Sequence, residues 1–164
     1  MLLLFSKFYA KCYQSKILLK GNTVFKSVFK SELERNSVKK WQKIWNQTTK
    51  GSITKAFFSR VEERLSMKLY TNQALTTILM GHGNIKAYLY RFNIIDSPTC
   101  PCSKDDQHID HLICECELLK PQRDMLRFSV SKKDNWPTSK YKLISNHFKA
   151  LKIFTNQIPY DSLG

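Results

Sequence analysis

Between residues 100 and 116 the chain reads CPCSKDDQHIDHLICEC, a run that holds four of its five cysteines and two of its four histidines. Thiolate and imidazole are donors that zinc prefers, and a structural zinc site takes four of them in a tetrahedron. Cys100 and Cys102 supply one arm; their spacing is tighter than the usual Cys-x-x-Cys, and Pro101 stiffens the turn between them. The second arm must come from His108, His111, Cys114 and Cys116. On a helix, His111 and Cys114 lie on nearly the same face, whereas His111 and Cys116 are about 140° apart and meet only if the helix ends between them. Spacing alone leans slightly to Cys114, and a register that uses both histidines is also open. The competing reading buries Leu112, Ile113 and Cys116 as ordinary core, because cysteine is among the most buried residue types. Two Cys-x-Cys pairs enclosing two histidines make a poor core recipe and a good ligand recipe, so a metal site is the expectation.

Other chemistry finds no support in the sequence. A polymerase or a ribonuclease H needs several carboxylates to hold two catalytic metal ions, yet residues 1 to 94 contain no aspartate and no Tyr-x-Asp-Asp occurs anywhere. Neither His-x-Glu nor Pro-Cys-x-x-Cys is present, which removes the zinc deaminases. No cysteine and histidine stand out as a catalytic pair, so the chain is read as noncatalytic.

The elements that must carry the cysteine run are helical. Apolar residues at Phe25, Phe29, Leu33, Val38, Trp41, Ile44 and Trp45 recur at spacings of three and four, which predicts one long helix over 24 to 46, or two with a break near Asn36. Trp41 and Trp45 share that stripe and read as core. The segment KAFFSRVEERLSMKL predicts a second helix with Phe57, Val61 and Leu65 on one face. Asn72 is placed to cap QALTTILM, Gly81 to end it, and NIKAYLYRF follows with Ile85, Tyr88, Leu89 and Phe92 at core spacing. A further helix is expected to begin near Asp105 or Asp106, another after Pro121, and one over about 139 to 154. The class is mostly α: a small helical domain with the cysteine module appended. Four segments are expected: a basic N-terminal stretch (1–23), a basic helical region (24–94), the cysteine module (95–128) and a C-terminal tail (129–164).

The net charge of +14 is uneven. Residues 1 to 94 carry 17 basic and 4 acidic side chains, while residues 95 to 164 are close to balanced. A positive field of that density attracts polyanions, of which nucleic acid is the commonest in a cell. Lys39, Lys40, Lys43, Lys55, Arg60, Arg64, Lys86 and Arg91 are the candidate phosphate contacts. Tyr88 and Tyr90 offer rings to unpaired bases, although Tyr88 sits at core spacing. His82, between two glycines, reads as a polar turn residue ahead of a phosphate contact. The apolar run after Met1 is too short for a secretory h-region or a membrane span. The expected setting is therefore intracellular and reducing, nuclear or cytoplasmic, with no membrane partner. The alternative is mitochondrial, because the first 31 residues are basic and lack any acid.

The run WQKIWNQTTKGSITKAFF, continued by LTTILMGHGNIKAYLYRFNIIDSPTCPCSKDDQHIDHLICECELL, resembles the C-terminal region of the polyprotein encoded by non-LTR retrotransposons (LINE elements) of the insect Jockey and I-like groups. The resemblance covers about residues 30 to 128. It rests on the spaced tryptophans, Gly81-His82-Gly83, Tyr88-Leu89 with Arg91-Phe92, Asp96-Ser97-Pro98, and the cysteine and histidine series. In that family the region follows a reverse transcriptase, and in some elements a ribonuclease H. Its zinc-knuckle-like motif implies Cys100, Cys102, His111 and Cys116 as ligands of one structural zinc, against the slight lean of spacing to Cys114. Ser103 and Glu117 depart from the pattern, which commonly has glycine and proline there. The implied function is a noncatalytic, nucleic-acid-binding terminal fragment of such a polyprotein, with RNA or DNA held through phosphates. The alternatives are a zinc-stabilised interaction or folding module that docks on the polymerase portion, and a relic without function.

Overall fold

The structure is a computed structural model that describes residues 23–160, so most of the basic N-terminal stretch expected over 1–23 lies outside the described residues. The described residues form nine α-helices, one 3-10 turn and no strand. The mostly α class expected from periodicity is what the backbone adopts. No described helix is long and apolar enough to cross a membrane.

The chain divides into two compact units between Asn46 and Gln47. In the first, α1 runs Thr23–Gln47 as one unbroken helix. Its exposed surface carries pairs one turn apart, Asn36 to Glu32 at 3.2 Å and Gln42 to Asn46 at 2.7 Å. Each such pair adds about 0.2–0.5 kcal/mol. The apolar stripe is less covered than its spacing implies: Phe29 and Leu33 are each 47% exposed and Ile44 is 46% exposed. Trp41 and Trp45 are half-buried.

The second unit contains α2 (Ser52–Phe57), α3 (Val61–Ser66), α4 (Gln73–Met80), α5 (Lys86–Arg91), α6 (Ile109–Cys114), the 3-10 turn Glu117–Leu119, α7 (Lys120–Ser131), α8 (Lys140–Ser145) and α9 (Phe148–Asn156). Helix α9 packs against α4, α7 and α8, while α2 packs against α4 and α8. One buried cluster joins Phe57, Leu75, Ile78, Leu112, Leu126, Leu151 and Phe154, and it takes in Cys100 and Cys116. Fully burying a side chain such as Phe57 contributes about 1.5–3 kcal/mol.

Helix α4 follows its sequence signals closely. Asn72 accepts a hydrogen bond from the Leu75 amide, and Gly81 closes the helix in the left-handed conformation. Pro121 stands in the first turn of α7, where its missing amide hydrogen costs nothing.

Three expected elements differ. The helix expected through KAFFSRVEERLSMKL is two, α2 and α3, separated at Phe58–Arg60. Phe57 and Phe58 are both buried at this break, where the Phe58 amide still returns to the Thr54 carbonyl at 2.9 Å. Leu65, expected on the buried face, is 48% exposed. The single helix expected over 139 to 154 is broken between α8 and α9 at Asn146 and His147. There His147 turns inward and its Nε2 lies 2.9 Å from Asp134 Oδ2. The helix expected near Asp105 begins at Ile109 instead, because the preceding residues build the turn that carries Cys100.

Asp134 ties the end of α7 to the junction of α8 and α9. It accepts from Lys142 Nζ at 2.6 Å and Asn146 Nδ2 at 3.2 Å, besides meeting His147. These partners, Lys142 first, hold its carboxyl far below the usual carboxylate range. Stability from a depressed carboxylate is fully present above its unfolded pKa of about 3.9 and is lost as pH falls below that value. The Tm of the wild type is therefore expected to fall more steeply below about pH 4 than that of Asp134→Asn. Parallel slopes in a pH series of thermal melts would contradict this.

Candidate metal centre

The turn that presents the first two cysteines is held by its backbone. Thr99 bridges Asp106 in antiparallel fashion. The Cys100 amide donates to the Asp105 carbonyl at 2.9 Å, and the Ser103 amide donates to the Cys100 carbonyl at 2.8 Å. Ser103 takes a left-handed φ of 60°, a conformation glycine adopts without strain. This is the position where the resembled family commonly has glycine.

The other two donors come from α6 and the residues just past it. His108 caps the helix: its Nδ1 accepts from the His111 amide at 2.9 Å, and its Nε2 lies 3.3 Å from Asp105 Oδ2. His108 is thus committed to the cap. The helix ends at Cys114, and the Glu115 and Cys116 amides both return to the His111 carbonyl, at 2.9 and 2.8 Å. That termination swings Cys116 back over His111 and satisfies the geometric condition set by their five-residue separation. Arg123, buried in α7, donates from Nη1 to the Cys116 carbonyl at 2.5 Å and pins the exit of the turn.

Ligand atoms of Cys100, Cys102, His111 and Cys116 all lie within 4.8 Å of one another. The Cys100 and Cys116 sulfurs are 3.7 Å apart, too far for a disulfide of about 2.05 Å. Two thiolates on one tetrahedral zinc, each bonded at about 2.3 Å, stand about 3.8 Å apart. Cys102 Sγ lies 3.1 Å from His111 Nε2. Cys100, His111 and Cys116 are almost wholly buried, and Cys102 is half-buried. Cys114 is half-buried, stands outside the cluster, and its thiol is pushed up by burial.

The donor set fits a structural zinc: three soft thiolates, one imidazole and a nearly closed shell. Without an ion, burial pushes the Cys100 thiol up to about 12. Burial also raises Cys102, but backbone amides at Lys104 and Glu117 and the neighbouring sulfurs outweigh it and leave the thiol below its ordinary value. A bound dication would take the place of the proton that burial keeps on Cys100.

One nitrogen of His111 is left over. Nδ1 is buried and has no hydrogen-bond partner among the described residues, and Glu115 Oε2 lies 3.8 Å away, one helical turn on. An imidazole that binds metal through Nε2 carries its hydrogen on Nδ1, and a carboxylate beside that hydrogen fixes the ring and its tautomer. Neither Arg123 nor Glu115 figured in the sequence reading. Glu115 stands at the ordinary helical-neighbour spacing of four from His111, a signal the sequence does carry, whereas Arg123, seven residues past Cys116, becomes informative only once α6 is known to stop.

The eight basic side chains expected to meet phosphates are not equally free. Lys39, Lys40 and Lys43 are exposed on α1. Lys55 donates to the Thr48 carbonyl, Arg60 pairs with Glu63 at 3.0 Å and Glu62 at 3.8 Å, and Arg64 lies over the Phe58 ring. Lys86 is half-buried, and Arg91 is exposed against the Tyr88 and Phe92 rings.

A small all-helical domain carrying a Cys-Cys-His-Cys cluster is thus the class that fold and site define. The chain is distantly homologous, over part of its length, to retrotransposon Pol-family proteins. It is 30% identical over 104 residues to the retrovirus-related Pol polyprotein from type-1 retrotransposable element R1 of Bradysia coprophila, covering 60% of this chain and 10% of that protein. It is 26% identical over 110 residues to the corresponding R1 3 polyprotein of Nasonia vitripennis, covering 65% of this chain and 29% of that protein. Over 110 residues it is also 26% identical to a putative 115 kDa protein in type-1 retrotransposable element R1DM of Drosophila melanogaster, covering 65% and 11%. The chain therefore spans less than a third of the length of these curated relatives, and none of the three names a Jockey or I-like element. No family model matches the chain, and no solved structure matches it.

Native mass spectrometry of the wild type is expected to show one zinc, retained in Cys114→Ser and lost in Cys116→Ser. Loss in both variants, or in neither, would contradict the ligand set. Glu115→Gln is expected to weaken zinc about tenfold in a competition titration with a chelator. An unchanged affinity would leave His111 oriented by packing alone.

Proposed function

We propose that the chain is a noncatalytic, zinc-stabilised terminal region of a LINE-type retrotransposon polyprotein, one that follows a reverse transcriptase and binds nucleic acid through phosphates. The observation that carries this reading is the convergence of four zinc-type donors from two separate turns, in a strongly basic chain whose partial relatives are retrotransposon Pol polyproteins. The zinc supplies folding energy and no reaction step. Phosphate neutralisation falls chiefly to Lys39, Lys40, Lys43 and Arg91, for which no carboxylate partner stands among the described residues, unlike Arg60. Such binding releases counterions, reads little sequence and weakens steeply with salt.

A second reading is supported by α1. Its partly exposed stripe of Val28, Phe29, Leu33 and Ile44 suits a protein surface, and the missing bulk of the polyprotein is the natural partner. On that reading the zinc-stabilised unit is a docking module for the polymerase portion.

Affinity for a labelled oligonucleotide, followed against salt, separates the two. On the first reading, replacing Lys39, Lys40 and Lys43 together by Gln lowers the slope of log K against log salt by about 2 to 3. Binding that ignores salt would overturn the phosphate reading.

A further inference from the structure

On the surface of the second unit, three rings and one guanidinium from the turn after α4, from α5 and from its C-cap lie against one another. The His82 and Tyr88 centroids are 4.7 Å apart, tilted by 32°. Tyr88 and Phe92, one helical turn apart, are 4.9 Å apart at 54°. The Arg91 guanidinium lies 5.0 Å from the centre of Phe92 and 5.8 Å from that of Tyr88. Phe92 is 53% exposed, and Tyr90 beside it is 47% exposed.

The turn that brings His82 to Tyr88 is held in place. Gly81 is buried with φ of 65°, its amide donates to the Thr77 carbonyl at 2.8 Å, and a Cβ there would run into Ile53 Cδ1. Gly83 also has positive φ, at 82°. Partial burial and the Arg91 charge lower the pKa of His82, so the ring is uncharged at neutral pH and stacks as an aromatic.

We propose that His82, Tyr88, Arg91 and Phe92 form a stacking platform for the unpaired bases of single-stranded nucleic acid. The proposal rests on the nucleic-acid reading above and narrows it to strands whose bases are free. Tyr88 packs against the core and backs the cluster, so Phe92 and His82 present the open ring faces. Such rings offer nothing to a duplex, whose bases are already stacked, but take any unpaired base because every base has a π-face. Arg91 supplies the complementary part. A guanidinium lying on aromatic rings keeps its N–H edge for a phosphate, and no carboxylate pairs with it among the described residues. Within the second unit, residues 47 to 94 carry seven Lys and Arg against only Glu62 and Glu63, which favours a polyanion over a protein on this patch. Stacking does not read the sugar, so RNA and DNA single strands are both expected ligands.

The test uses the full chain with zinc supplied, and labelled single strands of about 16 nucleotides as RNA and as DNA, the matching duplex, and an abasic strand of equal charge. Wild type is expected to prefer either base-bearing single strand over both the duplex and the abasic strand. Phe92→Leu is expected to cost about tenfold on the single strands, with the duplex and abasic affinities held within about twofold. Phe92→Trp is expected to restore the preference, which a merely structural defect would not allow. Equal affinity for all four ligands, or single-strand binding untouched by Phe92→Leu, overturns the platform and leaves the phosphate reading standing, with the patch free for a protein partner. No binding to any ligand at low salt overturns the nucleic-acid reading and the platform together.

Discussion

The constraint on which the site depends is the early end of α6. His111 and Cys116 are five residues apart, so on a continued helix their side chains would diverge and this set of four donors could not form. The helix stops after Cys114, and both following amides fold back onto the His111 carbonyl. Arg123 then holds the Cys116 carbonyl from α7, so the return of Cys116 is fixed from both ends. Cys100 meets it because the turn through Pro101 is braced by the Thr99–Asp106 bridge.

This arrangement couples the cluster to the core of its own unit. Cys100 and Cys116 are buried among the same apolar residues that join α2, α4, α6, α7 and α9. Burial holds the proton on Cys100, while Cys102 is kept below its ordinary value by backbone amides and neighbouring sulfurs, so the thiols of one cluster differ in how readily they ionise. An ion that displaces their protons converts the same burial into a bonded centre, and its loss would be felt through the surrounding helices.

What could be read from the sequence followed from local rules. Asn72, Gly81 and Pro121 mark helix ends through hydrogen bonding and backbone conformation that involve near neighbours only, and each stands where those rules put it. The density of cysteine and histidine pointed to a metal site for the same reason: donor chemistry is written in residue types. The break at Asn146–His147 was not legible, because it depends on Asp134, a partner remote in sequence, and no near-neighbour signal marks the break at Phe58–Arg60. Spacing leaned to Cys114 over Cys116 because an unbroken helix was assumed; the structure brings Cys116 to the cluster and leaves Cys114 outside it. His108 shows the converse limit: its type qualified it as a ligand, while its position made it a cap.

The proposed zinc ligation is by three thiolates and one imidazole, within a helical unit distantly homologous to retrotransposon Pol-family proteins. X-ray absorption at the zinc edge of the purified full chain tests it most directly. The expected first shell is three sulfurs at about 2.3 Å and one nitrogen at about 2.0–2.1 Å. A shell dominated by oxygen or nitrogen, or one with two histidines, would contradict it.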